Sequence, residues 1–78
     1  MTARVLELTK IGLAERNTVA ARTIAKLAPG EALELICDEP LWVLRHQLMT
    51  DRYGEIEWQD VERGPRWIAR VTLRRPQG

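Results

Sequence analysis

Few side chains in this 78-residue chain could do covalent chemistry, and they do not gather. The chain has one cysteine, Cys37, one histidine, His46, and no serine, so a serine nucleophile is excluded. A phosphate cradle needs clustered glycines, whereas Gly12, Gly30, Gly54, Gly64 and Gly78 are scattered. A metal site needs several His, Cys or carboxylate groups at ligand spacing, and no such pattern occurs. No metal and no cofactor are therefore expected. Cys37 and His46 are of the right types for a nucleophile–base pair. Strand alternation turns Cys37 inward, however, and His46 falls on the flank of the following helix. The chain is not expected to be an enzyme.

Binding chemistry is better represented. Cys37 reads first as a small buried hydrophobe at a strand end. Its sharper reading is a thiol near a helix N-terminus, where the helix dipole favours the thiolate and Asp38 and Glu39 oppose it. Trp42 and His46 stand at i and i+4 on one side of a helix, with Met49 nearby. They form either a docking patch or a tryptophan half-buried over the sheet edge beside a solvated histidine. Arg63, Arg66, Arg70, Arg74 and Arg75 cluster toward the C-terminus, offset by Glu57 and Glu62. With twelve basic and eleven acidic residues the net charge is +1, which exerts no strong pull on nucleic acid or membrane.

The elements that position these residues follow from periodicity. Val5 to Leu8 reads as a first strand, with Leu6 and Leu8 inward and Glu7 outward. A helix follows and ends near Ala28, where Pro29-Gly30 stops it. It starts at an Asn17 cap or as early as Leu13. Ala20, Ile24 and Leu27 give it one apolar stripe, with Val19 at the margin and Arg22 and Lys26 toward water. Ala32 to Cys37 is the second strand, with Leu33, Leu35 and Cys37 on one face. Asp38-Glu39-Pro40 then opens a second helix, a carboxylate near its free amides and Pro in an early position. Leu41, Leu44 and Leu48 form its stripe. Glu55 to Gln59 alternates as a third strand, and Trp67 to Arg74 as a fourth, with Arg63-Gly64-Pro65-Arg66 between them.

The order is β-α-β-α-β-β. Right-handed crossovers put both helices on one face of a mixed four-stranded sheet, an α+β two-layer sandwich. The other face, with Glu7, Glu34, Glu57 and Arg70, is solvated or meets a partner. One domain is expected over 1–78, ordered over about 4–74, with Arg74 to Gly78 as a frayed tail. No apolar run approaches the roughly 18 residues of a membrane span. The opening residues lack the apolar core of a signal peptide, and a single cysteine suits a reducing compartment, so the cytoplasm is expected.

In the order of its elements and in several short motifs, the chain resembles the TusA/SirA-like sulfur-carrier superfamily from Val5 to about Leu73. Leu6-Glu7-Leu8-Thr9-Lys10-Ile11 stands where that family has Leu-Asp-x-Arg-Gly-Leu. Leu27-Ala28-Pro29-Gly30-Glu31-Ala32-Leu33 is similar to its Leu-x-Pro-Gly-Glu-x-Leu passage, and Asp38-Glu39-Pro40 to its Asp-x-Pro turn. The family's Cys-Pro-x-Pro, whose thiolate carries the persulfide, falls here on Leu13-Ala14-Glu15-Arg16. A leucine cannot hold sulfur, so the family's own route is excluded. Gly64-Pro65-Arg66-Trp67 is similar to a small bacterial branch that lacks this cysteine. The resemblance implies the sandwich fold, and it implies that the start of the first helix is the working edge.

The expected function is a non-catalytic binding or relay module whose partner is another protein or a small ligand. Its surface would comprise Leu13, Glu15, Arg16, Asp38, Glu39, Pro40, Trp42 and His46. Exchanging Glu15, Arg16 and Trp42 together is expected to spare thermal stability. The alternatives are a sulfur or redox carrier using Cys37, and RNA binding through the arginine-rich last strand. Nucleic acid is the weaker expectation, and a membrane partner is not expected.

Overall fold

The computed structural model describes residues 4–52 and 54–74. Its elements are β1 (Arg4–Glu7), α1 (Arg16–Ala25), β2 (Ala32–Cys37), α2 (Trp42–Asp51), β3 (Ile56–Arg63) and β4 (Trp67–Leu73), with 3-10 turns at Leu8–Lys10 and Leu13–Glu15 before α1. The sheet order is β1-β2-β4-β3, with β1 and β2 parallel and the other pairs antiparallel. This is the mixed four-stranded α+β arrangement that the alternation implied.

The pairing register sorts the two sheet faces. Leu33 and Leu35 on β2 stand opposite Val71 and Ala69 on β4, and all four are buried. Ala20 and Ile24 of α1 and Leu44 and Leu48 of α2 join them in one core, so both helices cover the same face. The opposite face carries Glu34 against Arg70 and Glu57 against Thr72. Two cross-strand ion pairs lie there, Arg70 to Glu34 at 3.3 Å and Arg74 to Glu57 at 3.1 Å. Arg63 pairs with Asp60 at 3.0 Å. Three of the clustered arginines are thus already engaged; Arg75 and the residues after it lie outside the described residues.

Several boundaries differ from the periodicity. β1 ends at Glu7, and Leu8 reaches the core from a 3-10 turn instead of a strand. α1 stops at Ala25 rather than near Ala28. The chain there tightens, Lys26 and Leu27 bonding back three residues to Thr23 and Ile24, which drops Leu27 into the core. Glu31 then takes the free Ala28 amide through its carboxylate at 2.9 Å. Gly30, at φ +85°, makes the turn into β2. α2 begins at Trp42 with Leu41 as its cap, so Pro40 precedes the helix and Asp38 does not cap it. β3 runs on to Arg63 through a bulge at Val61, between the Asp60 and Glu62 pairings. The bulge and the charges along this edge strand discourage edge-to-edge pairing.

Candidate functional site

The carboxyl ends of the parallel strands β1 and β2 open side by side, and the connections that leave them converge. After β1, the 3-10 turns lead into α1 and supply Leu8, Leu13, Arg16 and Asn17. After β2, the Asp38–Leu41 turn leads into α2 and supplies Glu39 to Leu44. Together with Cys37 these residues line a cleft of about 400 Å³. Open α/β sheets commonly place ligands at the carboxyl ends of their strands.

Arg16 organises the cleft. Only 11% of its side chain is exposed. Its Nε donates to the Ile11 carbonyl at 2.9 Å. Its Nη1 donates to Asp38 Oδ1 at 3.0 Å and Glu39 Oε1 at 3.2 Å, and lies 3.5 Å from Cys37 Sγ. A guanidinium removed from water needs such partners, because an uncompensated charge would be costly. Burial works against its charge. The hydrogen bond to Asp38 and the fields of Asp38 and Glu39 outweigh that, so Arg16 stays above its ordinary value. In return the Arg16 hydrogen bond, helped by the Asp38 backbone amide, holds the Asp38 carboxyl below its usual range. Asp38 is thus tied to Arg16, and it stands three residues before Leu41, the cap of α2. A second tie, Asn17 Nδ2 to Gln47 Oε1 at 2.6 Å, joins α1 to α2. Asn17 was a cap candidate and serves instead as this cross-link.

Above the polar floor lies an apolar rim. Leu13 and Trp42 are each 70% exposed and Val43 is 66% exposed. The signal for Val43 was present in the sequence as the run Leu41-Trp42-Val43-Leu44. An amphipathic helix turns only one stripe to the core. Leu41 and Leu44 take the inward positions, which leaves Trp42 and Val43, about 100° apart, on the outward side of the first turn.

The structure therefore gathers Leu13, Arg16, Glu39, Pro40 and Trp42 at one cleft, with Asp38 joined through Arg16. Glu15 is exposed in the 3-10 turn before α1 and does not line the cleft. His46 is exposed farther along α2 and does not line the cleft, and Met49 packs toward Ile56 and Trp58 instead. Trp42 also lines a second cleft with Asp60, Glu62 and Trp67 of the sheet, but at 70% exposure it is not half-buried there. Arg16 is a structural member rather than a presented one, so exchanging Glu15, Arg16 and Trp42 together would not spare stability. Cys37 forms part of the floor at 2% exposure, the buried position that strand alternation implied. Its Sγ lies 3.8 Å from Asp38 Oδ1. Among the described residues no group of three His, Cys, Asp or Glu could hold a metal ion, and no helix is long and apolar enough to cross a membrane.

Comparison of the chain with family models, curated proteins and solved structures returns no match.

Proposed function

We propose that this chain is a non-catalytic docking module that receives a protein partner at the cleft between the start of α1 and the start of α2. One observation carries the reading. Three of the five exposed large hydrophobic residues among the described residues, Leu13, Trp42 and Val43, converge on a single cleft whose floor is fixed by a nearly buried arginine. An exposed tryptophan over a preorganised floor is the makeup of an interface anchor, since Trp and Arg dominate binding energy where they occur. The Arg16 network adds rigidity, which lowers the ordering cost of association. The resemblance to the TusA/SirA-like carriers supports the same edge, because their working residue falls at the position of Leu13.

The carrier alternative is less favoured. At 2% exposure the Cys37 thiol lies beneath Arg16, and a sulfur donor would have to displace that network to reach it. Three of the five arginines proposed for RNA, Arg63, Arg70 and Arg74, are paired with Asp60, Glu34 and Glu57.

The test is affinity capture from native lysate with wild-type chain and a Leu13→Ser/Trp42→Ser/Val43→Ser variant, both checked for fold by circular dichroism. Partner retained by the wild type and lost by the folded variant is the expected result. Equal retention by the two would show that the proposed surface is wrong.

A further inference from the structure

Resting on the docking reading, we infer that the cleft takes a protein segment carrying an apolar anchor flanked by lysine or arginine. Electrostatic complementarity of this kind sets the specificity of an interface and its rate of association. The carboxylates of Asp38 and Glu39 are 63% and 53% exposed. Each meets Arg16 through a single oxygen, Oδ1 or Oε1, and that contact uses one guanidinium nitrogen, Nη1. Glu15, exposed and next to Arg16 in the chain, is a third acidic residue of these segments. Against these three stands Arg16, the one cation among the described residues lining the cleft, and it faces the floor rather than the solvent.

The neighbouring surface does not cancel this excess. Beyond Trp42 a second cleft is lined by Arg45 and Arg63 but also by Asp60 and Glu62, so charge is balanced there. The net negative field is therefore local to the mouth, and the apolar rim of Leu13, Trp42 and Val43 lies inside it. A cleft of about 400 Å³ is at the scale of a small-ligand pocket, roughly 300–1,000 Å³, which suits one or two anchoring side chains rather than a broad domain face. An acidic segment would be repelled at this mouth. An uncharged apolar one would cover the carboxylate oxygens that Arg16 does not reach, Asp38 Oδ2 and Glu39 Oε2, and offer them no donor.

Selection of a displayed random peptide library against the immobilised full chain, with counter-selection on a folded Leu13→Ser/Trp42→Ser variant, tests the inference. Enriched peptides are expected to place Lys or Arg next to Leu, Ile, Met or an aromatic residue. Their affinity should fall about fivefold or more in Glu15→Gln/Glu39→Gln, which removes two exposed charge contacts. Peptides that depend on Leu13 and Trp42 but are acidic or uncharged would overturn the basic-segment inference and leave the docking surface standing. A failure to recover any peptide that depends on Leu13 and Trp42 would overturn both. Light scattering on the free chain supplies the remaining outcome: a dimer that Trp42→Ser dissociates would mean that a second copy covers the cleft, which also overturns the inference.

Discussion

Replacing Trp42 with alanine should scarcely change stability, whereas replacing Leu44, two residues on in the same helical turn, should be severe. Trp42 is 70% exposed and Leu44 is 5% exposed. A fully buried tryptophan removes about 150–250 Å² from water. Roughly a third of that is buried here, which at about 25 cal/mol per Å² is at most 1–2 kcal/mol. Alanine recovers a few tenths of a kcal/mol or more through its better helix propensity. The net cost of Trp42→Ala should therefore be about 1 kcal/mol or less, a fall in Tm of about 4–8 °C at most for a domain of this size. Leu44→Ala removes a core side chain between α2 and the sheet and should cost about 2–5 kcal/mol. Urea denaturation followed by far-UV circular dichroism measures both without relying on the tryptophan signal that the first variant loses. If Trp42→Ala cost about 3 kcal/mol or more, in the range of core tryptophans, Trp42 would be a structural residue and the case for an outward anchor would collapse.

The Arg16–Asp38 pair should leave a signature in acid. Because the Arg16 hydrogen bond depresses the folded Asp38 value, its contribution is complete above the ordinary aspartate value near pH 4 and is lost as pH falls through the lower folded one. Arg16→Met should flatten that part of the pH–stability curve, and an unchanged acid limb would contradict the assignment. Asp60, depressed first by the Trp58 indole hydrogen bond at 2.9 Å and then by Arg63, should behave likewise, so Trp58→Phe should shrink the Asp60 contribution in the same acid titration. Native Cys37 should react slowly with iodoacetamide and quickly once denaturant is added; mass spectrometry showing fast native labelling would reopen the carrier alternative. Gly30→Ala should cost about 1–2 kcal/mol in urea melts, since its φ of +85° strains any side chain although the space is open, and a neutral result would mean that the turn relaxes.

Where burial alone decides structure, the chain was legible. Leu33, Leu35 and Cys37 alternate on β2, Leu41, Leu44 and Leu48 recur at helical spacing, and all six are buried. What periodicity could not show was competition for polar groups. Asp38 reads as a cap for α2, but the helix starts only at Trp42 and Asp38 bonds Arg16 instead, a partnership that spans 22 residues of sequence. The early end of α1 has the same origin. The apolar pattern continues to Leu27, yet the chain leaves the helix to bury that leucine and gives the Ala28 amide to Glu31. The extension of β3 to Arg63 is written in backbone pairing with β4, not in its polar side chains. At the cleft, Leu13 and Trp42 were visible from position. Val43 was visible only through the run of four apolar residues that one helix face could not absorb.

The docking surface is tested most directly by site-specific photo-crosslinking in cells that hold the native partners. Benzoylphenylalanine placed at position 42 is compared with the same group at position 61, where Val61 is an exposed apolar residue at the β3 bulge that lines neither of the clefts bordered by Trp42. A discrete adduct from position 42 and none from position 61 is the predicted result. Adducts from 61 alone, or identical adducts from both, would contradict a docking surface built on Trp42.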